Sequence, residues 1–212
     1  MVQGFPGETG RMMSSAGADG GAMLADLASE AVIGDPHQDK RAFLGEYWSA
    51  LIEGNMERFA PLVHDDCLVH YPGNHFLSGD HRGKRAVVDL YAKLYKVGIE
   101  QGTFVGEFHD GVTSDDHVCA LIKYKLLLGA GQQLTGEAVG VFHLEGGQMR
   151  EYWLLERDQR MINDLFALSG KASLSGGGNK ALAISALTHP LALVRTVRRV
   201  IRQKRGVNTK ML

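Results

Sequence analysis

Residues 118–156 read VCALIKYKLLLGAGQQLTGEAVGVFHLEGGQMREYWLLE. Three strand-like runs, at 118–128, 132–144 and 148–156, are divided by Gly129-Ala130-Gly131 and by Glu145-Gly146-Gly147. Short glycine turns between such runs join antiparallel neighbours. A weaker strand at 103–110 precedes them, so the sequence predicts a four-strand meander. Upstream the period is helical. Phe43, Leu44, Tyr47, Trp48, Leu51 and Ile52 recur at three-and-four spacing until Gly54-Asn55 ends the run. A short helix at 56–63 follows, then an alternating strand at 66–71 that Pro72-Gly73 stops. Residues 74–82 read as a polar loop. A helix opened by Gly83 carries Val87, Val88, Leu90, Tyr91, Leu94 and Tyr95 on one side, and a last helix at 159–168 follows the meander.

Helices come first and strands cluster late, which is an α+β plan rather than alternating βαβ units. A meander long enough to curl, with amphipathic helices on its concave face, predicts a cone of antiparallel strands around an apolar pocket. The domain is expected at 39–168, after a glycine-, alanine-, serine- and methionine-rich leader at 1–38.

The chain has 212 residues, 44% of them apolar and 22% charged. That excludes a wholly disordered chain and a coiled coil. No apolar stretch approaches the roughly 20 residues that cross a bilayer. The first residues lack a basic start followed by an apolar core and do not read as a secretory signal. Two cysteines, Cys67 and Cys119, are too few for a disulfide scaffold. These features predict a cytoplasmic protein with buried thiols, peripheral to a membrane if its tail binds one.

The net charge of −1 conceals an asymmetry. From Gly170 to the last residue there are nine basic side chains and no acid, leaving 14 basic and 24 acidic residues elsewhere, a net −10. Residues 169–180, with three consecutive glycines, read as a linker. In the segment 181–212, Leu187, Leu191, Val194, Val197 and Ile201 follow helical spacing, with Arg195, Arg199 and Arg202 on another face. This predicts a basic amphipathic helix on a tether, able to move apart from the domain. Residues 187–205 suit a membrane surface or a protein partner. Nucleic acid is disfavoured, because the helix offers no aromatic side chain for bases to stack on. The competing arrangement folds the helix back onto the acidic body and buries Val194, Val197 and Ile201 there.

Several segments resemble the SnoaL-like branch of the nuclear-transport-factor-2-like (NTF2-like) superfamily, which includes ketosteroid isomerases and polyketide cyclases. They are Val69-His70-Tyr71-Pro72-Gly73, Leu77-Ser78-Gly79-Asp80-His81-Arg82-Gly83, Phe108-His109-Asp110, Asp115-Asp116-His117-Val118 and Gly147-Gln148-Met149-Arg150-Glu151-Tyr152-Trp153, then Asp158-Gln159 and Asp164-Leu165-Phe166. The resemblance implies the cone fold, a small-ligand pocket and a homodimer packed through the outer sheet face, where Glu151 and Trp153 would lie. In ketosteroid isomerases the oxyanion tyrosine stands seven residues before a glycine on the first helix, a place held here by Tyr47. The proton-shuttling aspartate directly precedes a proline; here Tyr71 does. The second, protonated aspartate falls on Gly140.

The candidate residues follow from these readings. Tyr47 is expected to donate a hydrogen bond to an oxyanion. Glu156 or His70 would move a proton, Glu156 because a carboxyl in an apolar pocket ionises late, His70 because imidazole titrates near neutrality. Alternation sends His70 and Tyr71 to opposite faces unless a bulge intervenes. It also sets Arg150, Tyr152, Leu154 and Glu156 against Met149, Glu151, Trp153 and Leu155, and the resemblance places the Tyr152 set inside. Tyr71, Tyr152, Val69 and Leu154 are the expected ligand contacts. Asp158 suits an N-cap. His75, Asp80 and His81 have metal-ligand chemistry but no supporting pattern, and no nucleotide motif is present, so neither metal nor cofactor is expected. The chemistry fits an isomerase, cyclase or hydratase acting on a carbonyl-containing or polyketide-like substrate. The alternative is a non-catalytic ligand-binding module that the basic tail brings to a membrane or partner.

Overall fold

The computed structural model describes residues 37–100, 102–129, 132–170 and 187–209. The expected leader, apart from residues 37 and 38, and nearly all of the linker lie outside the described residues. The first helix, α1 (Gln38–Glu53), buries Phe43, Leu44, Tyr47 and Trp48 and ends on Gly54, whose φ of 67° supplies a left-handed cap. Residues Met56–Phe59 form α2, opened by the Asn55 side chain, which accepts from the Arg58 N–H. A single 3₁₀ turn (Ala60–Leu62) then leads into β1 (Val63–Tyr71).

The segment expected to be only a loop contains β2 (Gly79–Arg82), which pairs antiparallel with β1. Its four residues alternate too briefly to be read as a strand, and it is an edge strand carrying charged side chains, as exposed edges commonly do. Helix α3 (Lys84–Leu94) and a π turn (Tyr95–Ile99) precede the meander β3 (Phe104–Thr113), β4 (His117–Gly129), β5 (Gln132–Glu145) and β6 (Gln148–Glu156). Helix α4 is Gln159–Leu165 and α5 is Pro190–Thr209.

The six strands form one curved sheet in the order β2-β1-β6-β5-β4-β3. The sheet is mixed, not wholly antiparallel, because β1 runs parallel to β6. Hairpins fix the direction of each meander strand. Between β1 and β6 stand helices and four further strands, so no hairpin constrains that pair. The core lies between the inner sheet face and α1, α2 and α3, where Phe59, Val63, Val69, Val87, Phe142 and Met149 are fully enclosed.

The expected face assignment of β6 holds only from Glu151 onward. His143 pairs with Glu151 but Leu144 pairs with Met149, so Arg150 is an extra residue in a β-bulge. The bulge shifts the alternation by one, and Met149 is buried in the core instead of lying outside with Glu151 and Trp153.

Helix α5 is held on the domain rather than moving apart from it. Its docking face is Ala192, Arg195, Thr196, Arg199, Val200 and Gln203. Ala192 and Thr196 are buried, and Val200 packs on Leu134, Met161 and their neighbours. Arg195 Nε donates to both oxygens of Asp164, at 3.1 and 2.9 Å, and Arg199 Nη1 donates to Asp164 Oδ2 at 2.8 Å. Gln203 Oε1 accepts from the Thr135 N–H at 3.1 Å, where β5 extends past the end of β6 and its edge is otherwise open. Val194, Val197 and Ile201, expected to be buried by any fold-back, face outward instead. The buried Asp164 carboxylate decides this orientation, since a buried charge needs a close opposite charge more than the aliphatic stripe needs cover.

Candidate active site

Residues from both ends of the domain line one cavity of about 190 Å³: Tyr47 and Trp48 from α1, Tyr71 from β1, Tyr91 from α3, Tyr124 from β4, and Tyr152, Leu154 and Glu156 from β6. Helical spacing aims Tyr47 inward with Phe43 and Leu44. On β1, alternation points Tyr71 inward. On β6, past the Arg150 bulge, it points Tyr152, Leu154 and Glu156 the same way.

Glu156 is the ionisable group that stands out. Burial pushes its carboxyl from 4.5 up to about 7, the hydrogen bond from Tyr124 opposes that shift, and the charge of Asp158 adds to it. Tyr124 Oη donates to Glu156 Oε2 at 2.7 Å. Arg157, next to Glu156 in the chain, pairs with Glu137 instead. Near neutral pH the carboxyl can therefore release and recover a proton, as a general acid or base requires.

The phenols are the second component. Burial raises Tyr47, Tyr91 and Tyr152 well above the ordinary tyrosine range and raises Tyr71 and Tyr124 as well. All five are neutral donors at physiological pH. The Tyr47 and Tyr91 hydroxyls are 2.6 Å apart, so when Tyr47 donates to a ligand oxygen, Tyr91 can donate to Tyr47. Gly140 has no side chain, but the Tyr152 ring occupies the space a side chain would enter. A Cβ at Gly140 would stand 2.9 Å from both Cε2 and Oη of Tyr152. A phenol from the neighbouring strand thus lies beside the position that bears an acid in ketosteroid isomerases.

Two expected residues lie elsewhere. His70 is on the outer sheet face, with Nδ1 2.8 Å from Asp80 Oδ1 and Nε2 2.9 Å from Glu151 Oε1. Its ring stacks on Trp153 at 5.6 Å. The Glu151 hydrogen bond is the main reason its pKa is raised, against partial desolvation. Parity rules it out of the cavity, since β1 has no bulge at Tyr71. Val69 shares the inward face with Tyr71 but is fully enclosed in the core and does not line the cavity. Asp158 caps α4, its Oδ1 accepting from the Met161 N–H at 2.9 Å, and it also bonds Arg199.

His75, Asp80 and His81 do not converge. The His75 ring stacks on Phe166, His81 Nε2 bonds the Leu77 carbonyl, and Asp80 faces His70. Among the described residues no group of three potential ligands is placed to hold a metal ion. Cys67 is buried, with its thiol pushed up to about 12 by burial, whereas Cys119 is only half-buried.

Tyr91 and Tyr124 are the cavity donors that sequence reading did not single out. Tyr91 was legible as part of an apolar helix face but not as a partner for Tyr47. Tyr124 could have been found by extending inward parity across the meander from Glu156 through Ala138 and Ile122.

A family model described as a SnoaL-like domain matches residues 44–152. No curated protein matches the chain. Solved structures with the same fold include Bal32a from a soil-derived mobile gene cassette (19% identity, TM-score 0.55), which aligns over 62% of this chain and 99% of its own. A protein from Jannaschia sp. CCS1, assigned as a SnoaL-like polyketide cyclase, has 12% identity and a TM-score of 0.50 over 60% of this chain and 92% of its own. An NTF2-like protein of unknown function from Burkholderia pseudomallei K96243 has 14% identity and a TM-score of 0.50, over 58% and 95%. At these identities the likeness is one of fold.

Proposed function

The chain belongs to the SnoaL-like family, and from that footing we propose that it is an acid–base enzyme for a small, largely apolar substrate bearing a carbonyl. The observation that carries this reading is Glu156, a half-buried carboxyl raised to about 7 in the same cavity as five neutral phenols. In this reading the Glu156 carboxylate takes a proton from carbon next to the substrate carbonyl. The electron pair moves onto the carbonyl oxygen, and Tyr47, backed by Tyr91, donates to the enolate that forms. Where a carbon–carbon double bond of the substrate is conjugated with that enolate, protonated Glu156 then returns the proton to the far carbon of the extended system, which is an isomerisation. Alternatively the enolate carbon attacks a second carbonyl of the same molecule, closing a ring, and Glu156 protonates the new alkoxide. Tyr71, Tyr152 and Leu154 would hold the ligand, the apolar walls favouring a flat molecule with few polar groups.

The test is exchange chemistry. Incubated in deuterated water with a mixed metabolite extract, the protein should bind a carbonyl compound and place deuterium beside the carbonyl, read by mass spectrometry. Glu156→Gln should slow exchange by about 10²-fold or more, and Tyr47→Phe by about 10²–10³-fold. A ligand that co-purifies unaltered and without exchange would instead identify a binding module.

A homodimer through the outer sheet face belongs to the same proposal. Trp153, His70, His117 and His143 form an aromatic patch there, with His117 and His143 rings 5.2 Å apart and His117 and Trp153 rings 6.3 Å apart. Sedimentation at micromolar concentration should show a dimer that Trp153→Glu converts to monomer; a monomeric wild-type chain would count against it. No described helix is long and apolar enough to cross a membrane.

A further inference from the structure

Docking of α5 on the domain consumes one face of the helix and leaves the opposite face bare. The bare face holds Leu191, Leu193, Val194, Val197 and Ile201, with Leu187 just upstream. Leu191 is 70% exposed and Val197 49% exposed. Aliphatic side chains so exposed and so aligned along three helical turns are uncommon on a surface that meets only water. Beside these side chains lie Arg198 and Arg202, both exposed and one turn apart, and Lys204 lies at the far end. Arg195 and Arg199 point the other way, to Asp164 and Asp158. No acidic residue occurs from Gly170 onward.

We propose that this outward face of α5 is a docking surface for an anionic lipid bilayer, on which the helix lies in the plane of the headgroups. Two observations select a bilayer over a protein partner. The stripe is wholly aliphatic, whereas protein hot spots centre on aromatic or arginine anchors set in pockets. Arg198 stands one turn from both Val194 and Ile201, so cations and aliphatic side chains share the outward face, which matches an apolar acyl layer beneath anionic headgroups. Because the arginines on the inner face anchor the helix to the domain, docking brings the whole domain to the lipid surface without unfolding any part of it. The proposal is independent of the chemistry assigned to the cavity.

The measurement is flotation of the full chain with phosphatidylserine–phosphatidylcholine vesicles and with phosphatidylcholine alone. Binding is expected only to the serine-containing vesicles. It should fall steeply between about 0.1 M and about 1 M salt, as the screening length shrinks from about 10 Å to about 3 Å. Arg198→Glu/Arg202→Glu should weaken partitioning by at least about 25-fold, because each basic group at such a surface contributes about fivefold. Val197→Glu/Ile201→Glu should abolish flotation, while its thermal melting matches wild type since the body-facing side is untouched. The proposal is overturned if the wild-type chain does not float at low salt, or if Val197→Glu/Ile201→Glu floats like wild type. It is equally overturned if that variant converts a dimer to a monomer while wild type shows no lipid binding, since the stripe then covers a second copy.

Discussion

Replacing Glu156 by glutamine is expected to make the protein more stable above neutral pH and to leave its stability at pH 4 unchanged. The sign follows from the raised pKa. Below 4.5 the carboxyl is protonated whether the chain is folded or not, so it contributes no difference. Between 4.5 and about 7 the unfolded chain ionises while the folded chain holds its proton, and stability falls with rising pH. Above about 7 the whole penalty for ionising this half-buried carboxyl is present, about 3 kcal/mol from a shift of this size. Glutamine cannot ionise, and its amide oxygen still accepts from Tyr124. Thermal melts at pH 8 should therefore show the variant higher by roughly 6–12 °C for a chain of this length, and the two curves should merge near pH 4. Identical pH profiles for wild type and variant would show that Glu156 is not strained, and the acid–base reading would lose its main support. A mutation that stabilises the fold while removing activity is the expected mark of a residue kept for chemistry.

The second large effect concerns the junction of α5 with the domain. Asp164 is only 3% exposed and takes hydrogen bonds from two arginines. The double substitution Arg195→Ala/Arg199→Ala leaves that carboxylate buried without its counter-charges. Breaking a buried pair in this way costs about 3–5 kcal/mol, so Tm should drop by roughly 6–20 °C. Adding Asp164→Asn to the double variant should return part of that loss, because the uncompensated charge is then gone. Asp164's pKa is held below its ordinary value by the arginines, against its own desolvation. Its stabilising contribution is therefore present above the usual carboxylate range and disappears as pH falls through the lowered value. Calorimetry of the wild type, the double and the triple variant checks all of this. A double variant that melts like wild type would show that α5 is only loosely associated.

The parts of the fold that were legible in the sequence are those governed by near neighbours. The glycine turns Gly129 to Gly131 and Gly146-Gly147 announced the meander, and the three-and-four spacing of Phe43 to Ile52 announced α1. Alternation correctly separated Tyr71 from His70, because β1 is regular over those residues. What escaped was set by distant partners. The Arg150 bulge depends on how β6 meets β5, and no property of Met149 or Arg150 alone moves Met149 to the inside. The parallel β1–β6 pairing joins segments about eighty residues apart. Asp164 entered the sequence reading only as part of the Asp164-Leu165-Phe166 resemblance, yet its burial decides which face of α5 turns inward, and its arginine partners lie 31 and 35 residues away. The cavity was half legible. Tyr47, Tyr71, Tyr152, Leu154 and Glu156 line it, but Tyr91 and Tyr124 matter through contacts with particular hydroxyl and carboxyl groups that only the packed structure reveals.

The glycines of β5 have a consequence for how this cavity could change its ligand. Gly136 lies under the ring of Tyr124 and Gly140 under the ring of Tyr152, so closely that a methyl at either would overlap the phenol above it. Each glycine is thus a floor on which a neighbouring strand lays a donor. A substitution on β5 would tilt a ring and move its hydroxyl without altering any residue that touches the ligand. Alanine at position 140 would shift Tyr152, and alanine at position 136 would shift Tyr124 and with it the proton affinity of Glu156. A lineage or a directed library seeking a new substrate could therefore retune polarity through the floor, keeping the rings themselves intact. The most productive positions for such a search are two glycines that bear no functional group at all.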